Sequence, residues 1–203
     1  MVEINDRRLP VGIQSFEEIR KQGCLYVDKT DIIWQLVNRG KKYNYLSRPR
    51  RFGKSVLVDT LEAYFMGKKE LFEGLKIMQL ETEWVKRPVI RLDMSRAGAE
   101  PDTLRSYLDI SFDRLEEEYG ITPKPTAKLA DRFDAIIVEA YEQTGQQVAI
   151  LIDEYDSPLQ HSWKTPQHEA CTAIYREVFA ILKADDKYEK FVFITGITKF
   201  TQI

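Results

Sequence analysis

Tyr43-Asn44-Tyr45-Leu46-Ser47-Arg48-Pro49-Arg50-Arg51-Phe52-Gly53-Lys54-Ser55 is the stretch on which the reading of the fold turns. It runs from a short apolar segment through a basic turn into Gly-Lys-Ser at the head of a helical pattern. The phosphate-loop template G-x-x-x-x-G-K-[ST] keeps its last three positions here, with Arg48 standing where the first glycine falls. A helix opening near Gly53 offers unpaired N–H groups and a positive dipole end to an anion. Lys54 is then expected on β/γ-phosphates and the Ser55 hydroxyl on Mg²⁺, while Gly53 lets the backbone approach closely. Arg50, Arg51, Phe52 and Val56 complete the expected nucleotide-binding loop. Gly-Lys-Ser is also an ordinary basic turn before a helix, so the flanking chain decides between the two.

Downstream, Val56, Leu57, Leu61 and Phe65 continue one helical face as far as Gly67, giving strand, turn and helix in the required order. Residues 88–95 read as a second strand, with Pro88 at a permitted first position. Residues 102–119 and 126–143 read as helices, split by a segment holding Pro123 and Pro125 that no helix spans. Val148-Ala149-Ile150-Leu151-Ile152 is an unbroken apolar run suited to a strand buried on both faces. A helix over 166–183 leads to Phe191-Val192-Phe193-Ile194-Thr195, a further central strand. Residues 68–87 carry no regular pattern beyond a hint of a short helix at Leu71, Phe72, Leu75 and Ile77 and a turn at Gly74.

Upstream, Ser15 caps a helix that Gly23 stops. Asp28 or Thr30 caps a second, with Ile32, Ile33, Leu36 and Val37 on one face until Gly40. Residues 1–40 are thus expected as a lead-in packed on a core of 41–203. Strands alternating with helices predict an α/β fold, a three-layer α/β/α sandwich around a mainly parallel sheet of the P-loop NTPase type. Ligands in such sheets bind where the strands end, which brings the basic loop to Asp153 and Glu154.

Four or five apolar residues followed by Asp-Glu describe a Walker B element. Phosphoryl transfer is catalysed mainly by positioning and charge neutralisation, so Asp153 is expected on the metal and Glu154 as the base that polarises water. An acidic strand end capping the next loop is the plainer alternative. Asp156 reads either as a further acidic residue near the metal or a partner, or as a turn residue before Pro158. Thr195 and Thr198 stand where a polar residue would sense a γ-phosphate, although a threonine ending a strand is ordinary. His161 and His168 lack companions for a metal site. Trp34, Trp84 and Trp163 read as packing residues, and Glu116-Glu117-Glu118 as a solvated helix face.

The 203 residues fit one larger domain, and 43% hydrophobic with 31% charged residues argues for a globular chain rather than a disordered one. A formal net charge of −2 supplies no general attraction to nucleic acid or membrane, so anion affinity has to be local, as at Arg48, Arg50, Arg51 and Lys54. Cys24 and Cys171 form no C-x-x-C pair and suit buried free thiols. No run of about 18 apolar residues occurs. The first residues, with Glu3, Asp6, Arg7 and Arg8, lack the apolar core of a signal peptide, so a cytoplasmic location with no membrane contact is expected.

Leu9-Pro10-Val11-Gly12-Ile13-Gln14-Ser15-Phe16, Tyr26-Val27-Asp28-Lys29-Thr30, Ser47-Arg48-Pro49-Arg50-Arg51-Phe52-Gly53-Lys54-Ser55 and Leu151-Ile152-Asp153-Glu154-Tyr155-Asp156-Ser157-Pro158 together resemble the bacterial AAA-ATPase-like family over almost the whole chain. The R-P-R-R-F-G-K-S loop looks like that family's own Walker A. The resemblance implies an ATP-binding, Mg²⁺-dependent and ATP-hydrolysing module. It implies too that a lid, a last strand and a domain resembling PD-(D/E)XK nucleases would follow Ile203, so the chain is expected to be truncated after its sensor-like strand. Possible partners are ATP, a second copy in a homo-oligomer, and nucleic acid bound through the full-length protein. The alternative is a non-hydrolysing nucleotide switch, or a nucleic-acid-binding module regulating an attached nuclease-like domain. Arg48, Arg50 and Arg51 are open between phosphate, nucleic acid and a neighbouring subunit.

Overall fold

A computed structural model describes residues 8–122, 124 and 126–198. Pro123, Pro125, Glu3, Asp6, Arg7 and Ile203 lie outside the described residues. The apolar runs form a four-stranded sheet, with β1 (Tyr43–Ser47), β2 (Val89–Asp93), β3 (Val148–Asp153) and β4 (Glu189–Gly196) in the order β1-β4-β3-β2. Every neighbouring pair is parallel. β3 is buried at each of its positions, which is why its sequence shows no polar alternation.

Side chains of successive strand residues point to opposite faces, and the core divides accordingly. Ile90, Leu92, Val148, Ile150, Ile152 and Val192 pack beneath α4 (Pro101–Tyr119), α5 (Leu129–Thr144) and α7 (His168–Phe179). Phe112 of α4 and Phe133 of α5 stack there with ring centroids 5.3 Å apart. Ala149, Leu151, Phe191 and Phe193 face the other way, against α1 (Phe16–Lys21), α2 (Thr30–Arg39) and α3 (Lys54–Phe65). Three layers result, as the alternating pattern predicts.

α1 and α2 are tied to this second layer by polar contacts as well as by Phe16 and Ile33. Phe16 N donates to Asp59 Oδ2 at 3.1 Å, and Ile77 N donates to Thr30 Oγ1 at 3.0 Å. Ser15 caps α1, and Asp28 Oδ1 accepts from Thr30 N at 2.9 Å at the start of α2. The stretch 68–87 holds two short 3₁₀ turns, Lys69–Phe72 and Lys76–Gln79, that bury Leu71, Phe72 and Ile77.

Three expectations need correction. The helix expected over 166–183 is divided into α7 and a short α8 (Ile181–Ala184), and a further helix, α6 (Ser157–Ser162), precedes them, started by Pro158 in its first turn. Glu116 is not on a solvated face. Consecutive helix positions point about 100° apart, so one member of an acidic triplet can turn inward, and Glu116, 3% exposed, is gripped by Arg132 through Nε at 2.8 Å and Nη2 at 2.6 Å. Trp84 does pack, against Tyr64 and Phe72, but Trp163 is 56% exposed and lies edge-on to His168.

Candidate functional site

The registers bring four strand ends to one rim. Ser47 pairs with Gly196 across β1 and β4, and Asp93 with Asp153 across β2 and β3. The basic loop leaves β1 at this rim and turns into α3, with Arg51 at φ 66° and Gly53 at φ 75°. Left-handed backbone suits glycine and strains arginine, so Arg51 is a residue whose conformation the surrounding loop imposes. Gly53 is the N-cap of α3 and supplies no side-chain cap. Among the described residues no hydrogen-bond acceptor meets the amides of Lys54, Ser55 and Val56, which sit in the first turn of α3.

Lys54 is 4% exposed, and its ammonium is surrounded by oxygen. Nζ lies 3.0 Å from Glu154 Oε1 and donates to the Arg48 carbonyl at 3.1 Å and the Pro49 carbonyl at 3.3 Å. A lysine almost withdrawn from water needs such partners, because a buried charge without them is costly. The pair joins the loop after β1 to the loop after β3.

Glu154 reaches Lys54 from another left-handed position, φ 49°. Its amide donates to Asp153 Oδ1 at 3.0 Å and to Thr195 Oγ1 at 3.1 Å, and the Thr195 hydroxyl donates to Asp153 Oδ1. Tyr155 N donates to the Thr195 carbonyl at 2.9 Å. Asp153 and Thr195 are buried and interlocked, so the strained turn at Glu154 is held from two strands at once.

Lys54, Asp153, Glu154 and Thr195 therefore meet. Thr198 is exposed at the rim and belongs to a separate network on Asp156, accepting from Gln160 Nε2 at 2.6 Å and donating to Asp156 Oδ2 at 2.8 Å. Arg48, Arg50 and Arg51 are exposed, and among the described residues none pairs with a carboxylate. Phe52 is 68% exposed at the loop tip. Sequence reasoning did not single out Asp93, which lies beside Asp153 with Oδ1 accepting from Ser95 N at 3.2 Å, nor Gly196 and Gln160. Only the carboxylate ending a strand-like run gave a signal for Asp93; the other two depend on chain crossings.

The donors suit a hard cation with bound nucleotide. Asp153 Oδ1 is used internally, while Oδ2 makes no hydrogen bond among the described residues and is not a sealed, unpartnered atom. The Ser55 hydroxyl, partly exposed, has no protein partner among the described residues. Mg²⁺ takes one or two protein oxygens and completes its shell with water and phosphate, so the lack of a cluster of three His, Cys, Asp or Glu side chains among the described residues does not conflict with that chemistry.

An all-parallel sheet flanked by helices, with a Gly-Lys-Ser helix start against an Asp-Glu strand end, is the arrangement of the P-loop NTPase-like class. Residues 10–203 match the family described as AAA-ATPase_like, Predicted AAA-ATPase, and the chain belongs to it. The family is ATPase-like at the general level, which supports nucleotide binding. The chain is also 34% identical over 203 residues to a protein of Azotobacter chroococcum mcd 1 described as "Uncharacterized protein in vnfD 5'region". That match covers 97% of this chain and 38% of the relative, so the chain spans less than half of the relative's length. No solved structure matches it. Among the described residues no helix is long and apolar enough to cross a membrane.

Proposed function

We propose that the chain is a Mg²⁺-dependent ATP-binding module that hydrolyses ATP at the rim joining α3 to β3. The observation that carries this is the 3.0 Å contact between Lys54 and Glu154, which joins a helix start able to receive phosphate to a strand end able to hold metal and base. Arg50, Arg51, Phe52, Gly53, Lys54, Ser55 and Val56 line the phosphates. Bound Mg²⁺, held by Ser55 and Asp153, would neutralise charge on the β- and γ-oxygens.

The residues' own work starts from the contacts of Lys54. The β- and γ-phosphates replace Glu154 and the two loop carbonyls as acceptors for Lys54. That exchange keeps the buried ammonium paired and frees the Glu154 carboxylate, which takes a proton from the attacking water as the water oxygen bonds to the γ-phosphorus and the bond from that phosphorus to the β–γ bridging oxygen breaks, releasing ADP and phosphate. The free amides of α3 and the Lys54 charge receive the negative charge that develops in transfer. Thr195 acts as a sensor through Asp153 and the Glu154 amide, and Thr198 through the Asp156 network.

The test is Mg²⁺-ATP turnover and binding by the wild type, Lys54→Ala and Glu154→Gln. Lys54→Ala is expected to lose binding. Glu154→Gln is expected to bind at least as tightly as the wild type while turnover falls by about 10²–10⁴, the range for a lost general base. Wild-type turnover by Glu154→Gln would refute the assigned base.

A second reading is a non-hydrolysing switch, and the same Lys54–Glu154 contact favours it, since nucleotide has to break that contact on arrival. Saturable binding with no turnover by the wild type selects it.

A further inference from the structure

Asp156 is fully buried, and among the described residues no lysine or arginine pairs with it. A buried carboxylate of this kind has to be held by hydrogen bonds alone. One oxygen carries them all. Oδ2 accepts from Ile197 N at 2.9 Å, Thr198 N at 2.6 Å, Thr198 Oγ1 at 2.8 Å and Gln160 Nε2. Among the described residues Oδ1 has no hydrogen-bond partner, and it lies over Gly196, where an added Cβ would come within 2.6 Å of it. Gly196 is not left-handed, so glycine serves there for close approach.

From this carboxylate a continuous chain of contacts runs to Lys54. The Gly196 carbonyl accepts from Arg48 N at 3.1 Å, the Ile197 carbonyl accepts from Ser47 Oγ at 2.7 Å, and the Thr198 carbonyl accepts from the Tyr45 hydroxyl. Arg48 in turn offers its own carbonyl to Lys54 Nζ at 3.1 Å. The turn 196–198 thus spaces the acidic loop after β3 from the basic loop after β1, and Asp156 fixes that turn.

We propose that Asp156 is a positioning residue for nucleotide: by clamping the turn 196–198 it sets Ser47 and Arg48, and through them the placement of Lys54. The proposal deepens the nucleotide-binding reading and rests on it. The chemistry requires a carboxylate. Several donors converge on Oδ2, and an asparagine would either point its own N–H groups at them or leave those groups buried against Gly196 without an acceptor.

The experiment compares Asp156→Asn, Gly196→Ala and the milder Ser47→Ala, which removes one partly exposed hydrogen bond, with Phe112→Leu as a control for stability lost where α4 packs on α5. Amide exchange is read at Arg48, Ile197 and Thr198 in nucleotide-free protein, and Mg²⁺-ATP affinity by calorimetry. Asp156→Asn and Gly196→Ala are expected to raise exchange at Arg48 and to weaken affinity by about tenfold, and Ser47→Ala to do both by about threefold, from the usual worth of such hydrogen bonds. Phe112→Leu is expected to lower the melting temperature and leave both unchanged. If Asp156→Asn or Ser47→Ala leaves Arg48 exchange at the wild-type rate, or if Phe112→Leu moves exchange and affinity as much, the positioning role is overturned. If the wild type binds no Mg²⁺-ATP, the nucleotide reading falls by itself, while Arg48 exchange still decides whether Asp156 holds the loop.

Discussion

At the rim where the strands end, Asp153 and Asp156 are buried among N–H and O–H donors; at the rim where they begin, Glu189 and Asp185 are buried against other carboxylates. The difference lies in which backbone groups reach each acid. Asp153 receives Glu154 N, and Asp156 receives Ile197 N and Thr198 N. At the other rim Asp185 follows the last residue of α8, and among the described residues no backbone amide donates to Asp185 or Glu189. Glu189 has the Tyr43 hydroxyl at 2.9 Å for one oxygen, and its other oxygen is buried with no partner among the described residues. Burial pushes Glu189 up to about 7, the neighbouring Asp185 and Asp186 adding to the rise against Tyr43 and Lys42. Burial, together with Asp134 beside it, pushes Asp185 up to about 6. At one rim the buried acids are met by N–H and O–H donors, and the other holds its acids best as neutral groups.

The sharpest way to break the comparison is Asp153→Ala. It removes the acceptor shared by the Glu154 amide and the Thr195 hydroxyl, and the proposed metal ligand with it. The expected result is loss of Mg²⁺-dependent nucleotide affinity by about a hundredfold, with about 2 kcal/mol of stability lost to unsatisfied buried donors. Calorimetric binding and denaturant unfolding check the two parts.

The opposite rim is tested by pH. The folded protein holds Glu189 and Asp185 protonated to higher pH than the unfolded chain, whose carboxyls titrate near their ordinary values. The folded state therefore binds more protons in that window, and stability contributed by these groups is full below about pH 4 and is lost as pH rises through about 6 and 7. Melting temperature is expected to fall by several degrees across that range. Glu189→Gln should flatten the upper part of the slope and raise stability at pH 8. An unchanged slope in that variant would remove Glu189 from the account.

The smallest effect is expected at Phe52, which stands exposed at the tip of the loop after β1 and packs little. Phe52→Ala should leave stability within about 0.5 kcal/mol of the wild type, while a change in ATP affinity would show that the exposed ring meets the nucleotide.

Local chemistry made much of the fold and the core of the candidate site legible. Val148–Asp153 and Glu189–Gly196 announce buried strands because parallel strands covered on both faces leave no place for polar alternation. Gly53-Lys54-Ser55 and Asp153-Glu154 are legible because they stand at a helix start and a strand end, as the proposed phosphate and metal chemistry would require. Glu116 and Asp156 were misread or left open for the converse reason: a buried acid looks like a surface acid until its partners, Arg132 in one case and the turn 196–198 in the other, are brought across the fold.

The sequence by itself determined which segments become strands, the strand–loop–helix order around residues 43–55, and the identity of the charged groups on those loops, since these depend on residues close together in the chain. Only the tertiary structure decided that β4 lies between β1 and β3, that Glu154 holds Lys54, and that Asp156 binds Ile197 and Thr198 beyond β4. Strand order and contacts between distant residues are set by how the two faces of the sheet are covered, and no local pattern of residues encodes that outcome.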